Sequence, residues 1–402
     1  MNKLKHLFYL ALLFAPLKAS AIEVKTVEQL RNAPAGAVCE IKGNLDLSGK
    51  SVALQQNQIL DFTNGILKNG CLIGNNTQVK GGKKCFDHIE IKGTWNVFQI
   101  STDFFVDLSY DNAICNVFAL ANGNKQKTIT INEGTYYVTV DKSPGIVIGN
   151  DTKVLLNGNI QMRPNDKTAY RIVSINGTNV SIVGTGHLIG DRSKHTGTTG
   201  EWGMGIMIYS SRNVSISGIT IEECWGDCIY VSDMSTDVSI SNCILQNSRR
   251  QGISITSAGQ VTIKDCTIRN IGGTSPGLAI DVEPNKEKSV EYVLVENVVA
   301  TNCEAGFSAS NRAEGSSIER VKITNSKFYG TKKNYCIYIN GAKKANVAHC
   351  YIDSGTECGL WFSKVLSGTA TNNTFVTTNK KTINKYLCMA IKERRNTTKK
   401  SQ

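Results

Sequence analysis

Long apolar runs are scarce in this sequence. The stretch from Leu7 to Leu17 falls short of the ~20 residues a membrane-spanning helix needs, and no later segment is long enough. An even complement of cysteines is missing: thirteen is odd, which excludes a complete disulfide framework for an exported chain. Cys224 and Cys228 have neither a second cysteine pair nor a nearby histidine, so a zinc site is not expected. Strong charge is lacking too. Of the formal +12, three charges sit on Lys3, Lys5 and Lys18 and a net four on the segment from Lys392, leaving about +5 on the body. That is a mild bias toward acidic partners and not a nucleic-acid signature.

What is present begins with Met1-Asn-Lys-Leu-Lys-His6, the short apolar run, and Ala19-Ser-Ala21. These are the parts of a secretory signal peptide, with cleavage expected after Ala21, and Ile22 in place of Cys gives no sign of a lipid anchor. Export to the periplasm or the extracellular space follows as an expectation. Residues 22–100 are Gly- and Asn-punctuated short strands, expected to form an N-terminal cap region. Residues 101–375 carry the regular pattern, opened by a short amphipathic helix within Asp111–Ala121. Beyond 375 the repeat fades, and 376–402 is expected to be a C-terminal cap and a disordered basic tail.

The regular pattern is a short phrase that returns with no helix between its copies. Asp227-Cys-Ile-Tyr-Val231, Gln251-Gly-Ile-Ser-Ile255, Leu278-Ala-Ile-Asp-Val282, Tyr335-Cys-Ile-Tyr-Ile339 and Cys358-Gly-Leu-Trp-Phe362 each run small, apolar, variable, apolar. Period-two alternation at a roughly constant spacing of ~23–28 residues specifies a solenoid whose coils bury one face on their neighbours. The fold class expected is all-β, a single-domain right-handed parallel β-helix. A second strand column runs through Val214-Ser-Ile216, Val238-Ser-Ile240 and Val261-Thr-Ile263. Behind it Asn242, Asp265, Asn297, Asn325, His349 and Asn372 form a turn column, as Asn and Asp tolerate a left-handed backbone. Cys243, Cys266 and Cys350, with Ser326, are expected to stack inside as small buried residues.

In this register Ile229, Ile253, Ile280, Phe307, Ile337 and Leu360 point inward, whereas Met207, Tyr230, Ser254, Asp281, Ser308, Tyr338 and Trp361 face out. Asp281 and Glu283 are two apart on one strand, so their α-carbons lie ~6.7 Å apart on one face. Asp227 begins the equivalent strand two coils earlier, and Arg249 and Arg250 occupy the coil between. Trp225, Tyr230 and Trp202 are near enough to offer sugar-stacking surfaces, with His187 as a reserve proton carrier and His195 on a loop that could close over a ligand. Carboxylates, an arginine pair and aromatics on one exposed sheet make a glycan groove, although an Asp-x-Glu pair on a strand is often only a solvated face.

The series Gly190-Asp-Arg192, Gly200-Glu-Trp-Gly-Met-Gly-Ile206, Trp225-Gly-Asp-Cys-Ile229, Arg249-Arg-Gln-Gly-Ile253 and Gly277-Leu-Ala-Ile-Asp-Val-Glu-Pro-Asn285 resembles a set shared by secreted bacterial β-helix proteins of the pectate-lyase-like superfamily, often of Bacteroidetes type. The helix and strand order after Asp111 is similar to the entry of that domain. Cys228 and Ala279 replace the Gly usual there, substitutions that bear on packing rather than on the acids. The resemblance implies a polysaccharide-degrading enzyme. A lyase acting on uronic-acid glycans by β-elimination is expected first, with Arg249 or Arg250 as base or carboxylate binder. Asp227, Asp281 and Glu283 would then hold substrate or a calcium ion that stabilises the enolate. Hydrolysis by paired carboxylates is the alternative, although the adjacent aspartates and Gly-His-Gly turn of polygalacturonase-type hydrolases are absent from the sequence. A non-catalytic glycan binder is the third reading.

Overall fold

The computed structural model describes residues 21–123, 126–140, 145–329, 333–355, 357–379 and 381–400, so the expected signal peptide lies outside the described residues apart from Ala21. No helix among them is long and apolar enough to cross a membrane. The regular region is a parallel β-helix. Its coils feed three parallel sheets of 11, 10 and 12 strands, each coil giving one short strand to each sheet. One coil, for example, runs Ser289–Glu296, Val299–Cys303, Ala305–Ser310, and every strand pairs with its counterpart one coil away.

The corners explain why such short strands suffice. Asn242, Asp265, Asn297, Asn325, His349 and Asn372 all adopt left-handed backbone, with φ between 53° and 57°. Their short polar side chains bond along the column, as Asn297 does to Asp265. His349 is a member of this ladder, its Nε2 3.5 Å from Asn372 Nδ2. Two further ladders escaped the sequence reading: Asn247–Asn270–Asn302 and Asp151–Asn179–Asn213, each linked by side-chain bonds of 2.8–3.0 Å.

Inside, Ile206, Ile229, Ile253, Ile280, Phe307, Ile337 and Leu360 form one stack with no exposed surface. Each such side chain contributes roughly 1.5–3 kcal/mol of burial. All thirteen cysteines are free, and Cys243, Cys266, Ser326 and Cys350 are buried as expected of an internal column. Phe307→Ala is expected to cost about 3–5 kcal/mol by leaving a cavity between two coils, read as a lowered urea midpoint.

At the N-terminal side, Thr26 caps the helix Val27–Asn32 through a reciprocal bond with Gln29, and a separate seven-stranded sheet runs to Trp95. The helix Ile114–Ala119 lies between the Phe86–Trp95 and Ile146–Ile148 strands and buries Ile114, Val117 and Phe118 over the core's end. The C-terminal expectation needs correction. Ile383–Tyr386, Ala390–Arg394 and Thr397–Lys399 extend all three sheets in register. Their side chains are mostly exposed, Met389 by 79% and Leu387 by 65%, so this coil shows little of the apolar alternation by which the others are recognised.

Candidate functional site

The site lies on the outer face of the ten-stranded sheet, over the strands Ala169–Ile175, Trp202–Tyr209, Ile229–Ser232, Ile253–Ile255 and Leu278–Val282. The outward column is the one read from the sequence: Met207, Tyr230, Ser254, Asp281, Ser308, Tyr338 and Trp361 are register partners in succession. Coils stack ~4.8 Å apart, so Asp281 lies ~14 Å along the axis from Met207.

Asp281 faces outward yet is only 5% exposed, while Glu283, two residues on, is open to solvent. The expectation that both carboxylates project freely therefore holds for Glu283 alone. Gln251 covers Asp281 from the neighbouring coil, its Nε2 donating to Asp281 Oδ2 at 2.8 Å. The same amide's oxygen accepts the Leu278 N–H at 3.0 Å, which fixes which end of the amide meets the acid. Burial pushes the Asp281 carboxyl up to about 7, the charge of Glu283 adds to this, and Arg250 opposes it.

Asp227 is fully buried and cannot touch a ligand, which corrects its assignment as a catalytic group. Arg250 Nη1 meets its two oxygens at 3.0 and 3.3 Å, and Ser254 Oγ donates at 2.8 Å. Arg250 Nε reaches Glu201 at 3.1 Å. Burial raises Asp227 to about 6, against the pull of Arg250 and Ser254. Burial works against the charge of Arg250, but Asp227 and Glu201 outweigh it and hold its pKa above the ordinary value. Arg250 is thus a clamped cation and unsuited to take a proton. It aligns Asp227 and Ser254 beside the acid strand, a positioning role.

Trp225 and His195 also need correction. The Trp225 indole is only 8% exposed, covered by the His195 ring, which stacks on it at 3.8 Å, and by the Arg249 guanidinium, 4.0 Å from its centroid. No sugar can stack there. His195 is enclosed rather than solvated, its Nδ1 2.8 Å from Asp191, which also accepts from Tyr170 at 2.7 Å and from Asn165. This buried cradle orients Trp225 and through it Arg249, which donates to the Gly200 carbonyl. His187 lies on His187–Ile189, a strand of the eleven-stranded sheet, and bonds Glu222 at 2.7 Å, away from this face. Trp202 and Tyr230, with Tyr170, Arg171, Met204 and Met207, line a cavity of about 300 Å³, and Trp202 is 53% exposed.

The calcium expectation does not fit this donor set. Asp227 turns both oxygens to a guanidinium, Asp281 is covered by an amide, and no group of three or more acidic, His or Cys side chains among the described residues is placed around a common point. Calcium requires six to eight oxygens.

Residues 120–280 and 251–398 match the family model described as right handed beta helix region. The chain is 29% identical over 205 residues to uncharacterized protein YclG of Bacillus subtilis (strain 168), a match covering 44% of this chain and 35% of that protein. It is 27% identical over 215 residues to the SPbeta prophage-derived uncharacterized protein YorA of the same organism, covering 48% and 35%. The matched stretch thus spans about a third of the length of these curated relatives. Among solved structures, endo-xylogalacturonan hydrolase from Aspergillus tubingensis superposes with a TM-score of 0.53 at 13% identity, over 75% of this chain and 93% of that one, a likeness of fold.

Proposed function

The chain belongs to the right-handed β-helix family, and from that premise we propose that it is a glycoside hydrolase acting on an acidic polysaccharide, with Asp281 as general acid and Glu283 as the second carboxylate. Fold alone leaves the reaction open, since a hydrolase of xylogalacturonan shares this architecture and so do other chemistries. The observation that carries the reading is the pairing of a buried carboxylate, Asp281, with an exposed one, Glu283, just past the end of the same strand and near enough for its charge to raise the Asp281 pKa. Burial keeps Asp281 protonated up to about pH 7, ready to protonate a leaving oxygen. The exposed Glu283 can activate water or attack the sugar, and the carboxyl separation in the bound complex decides between inversion and retention.

An acidic substrate is supported by the guanidinium groups beside the acids. Arg250 acts on Asp281, and beside it Arg192 and Arg249 lie close enough together that burial and the Arg192 charge lower the Arg249 pKa, Arg192 Nη2 donating to the Gly272 carbonyl at 2.6 Å. The same cluster favours the second reading, β-elimination on a uronate, in which Arg192 and Arg249 would hold the sugar carboxylate. Export, expected from the leader, suits a polymer too large to enter a cell.

The test is incubation with a panel of uronic-acid and sulfated polysaccharides in buffer containing EDTA. New reducing ends without the ultraviolet absorbance of an unsaturated sugar are expected, and chelation is expected to leave the rate unchanged. Appearance of that absorbance would replace hydrolysis by elimination. Retention on a glycan column with neither signal would mark a binder.

A further inference from the structure

The cavity N-terminal to the acids contains a cation with no ion-pair partner among the described residues. Arg171 lines it, half-buried, and its guanidinium has no side-chain partner among the described residues. Of the described acids on the neighbouring elements, Glu201 is committed to Arg250, Asp227 to Arg250 and Ser254, Asp191 to His195, Tyr170 and Asn165, and Asp166 to Lys167. A partly desolvated guanidinium favours an anion, which it can bind in a two-pronged fork. Beside it the exposed Trp202 and the Tyr230 ring give flat apolar walls, completed by Met204 and Met207. An aromatic wall next to an unpaired arginine matches the two halves of a charged pyranose: an apolar ring face and an anionic substituent.

Register fixes how this cavity relates to the acids. Arg171 pairs with Met204, and the Gly205 N–H donates to the Asp227 carbonyl at 3.0 Å, so Arg171 stands about two coils from the Asp227 position. Asp281 is two coils further on, so Arg171 stands four coils, ~19 Å along the axis, from the proposed general acid, and the cavity shares Met207 and Tyr230 with the outward column that carries Asp281.

We propose that Arg171, Trp202 and Tyr230 form a specificity subsite that reads the negative charge of one sugar unit, a carboxylate or a sulfate ester, lying ~19 Å along the groove from Asp281. The inference rests on the glycan reading of the face but not on the hydrolytic step.

Binding is measured by calorimetry and tryptophan fluorescence on full-length Asp281→Asn protein, in which turnover is expected to be slowed enough for the probes to stay intact. The probes are tetragalacturonate and its methyl ester, and a sulfated galactan tetrasaccharide and its desulfated form. One anionic probe is expected to bind at least about tenfold more tightly than its neutral partner, and which pair shows it identifies carboxylate or sulfate. Arg171→Met is expected to erase that preference while leaving the neutral probe's affinity and the melting temperature unchanged, and Arg171→Lys to restore part of it. A preference that survives Arg171→Met overturns the subsite, as does a failure of all four probes to bind. Hydrolysis is judged separately by the reducing-end assay: binding without any cleavage by wild type leaves the subsite standing and sinks the hydrolase reading.

Discussion

Asp281→Asn is expected to lower kcat by about 10²–10⁴-fold, the usual contribution of a positioned general acid, while the protein folds as well as wild type or better. The substitution is nearly isosteric, and the Asn carbonyl can still accept the Gln251 amide that now bonds the acid at 2.8 Å. What it removes is a carboxyl whose pKa burial has raised to about 7, against ~3.9 for an unfolded aspartate. The sign of the stability effect follows. Between those two values the native state holds a proton that the unfolded state has released, so wild-type stability falls as pH rises through that window. Below pH ~4 the two proteins should melt alike. At pH 8, where wild type must bury a charge, the Asn variant should melt higher. Wild-type kcat/KM should also fall as pH rises through about 7, because the acid is then deprotonated. A variant that keeps wild-type turnover would remove Asp281 from the chemistry. One that fails to fold would make it structural.

The parts of this site that could be read from sequence are those governed by period two. Ile280 and Asp281 fall on opposite faces because neighbouring residues of a strand must, and the phrase repeats often enough to fix the register of every coil from Met207 to Trp361. The Asn242–Asn372 column was legible for a similar reason, since a left-handed corner restricts which residues can stand there. Burial on the outer face was not legible. Whether Asp281 is open or covered depends on Gln251, 30 residues earlier, and Asp227 is sealed by an arginine 23 residues away that also reaches Glu201. Trp225 reads as an exposed aromatic until His195 and Arg249 are found packed over it. Both approach through corner loops, which carry no periodic signal. Gln251 and Arg171 went unmarked because a single polar residue at a strand's start looks like a solvated edge. Their importance comes from what the adjacent coils bring against them.

Arg250→Met tests whether the arginine turn serves the acids by position rather than by direct chemistry. Removing one member of a buried pair leaves the other charge uncompensated, a loss of about 3–5 kcal/mol. Asp227 is fully buried, and besides Arg250 its side-chain partner among the described residues is the Ser254 hydroxyl. The cost should depend on pH in a definite direction. With Arg250 present, Asp227 has a pKa of about 6; without it, that value must rise further above the unfolded ~3.9. The variant's native state therefore keeps its proton to higher pH, and stability is lost progressively as pH rises through the wider window. The deficit relative to wild type should be largest at pH 8 and smallest at pH 5, where wild-type Asp227 is already mostly protonated. Adding Asp227→Asn to Arg250→Met should recover most of the loss at pH 8, because no buried charge then remains to be paired. Arg250 also draws the Asp281 pKa downward. Its removal should thus shift the basic limb of the kcat/KM profile to higher pH, and a purely structural arginine would leave that limb in place. If instead Arg250→Met abolished turnover at every pH with stability intact, the guanidinium would be acting on the substrate itself, and elimination would displace hydrolysis as the reaction of this groove.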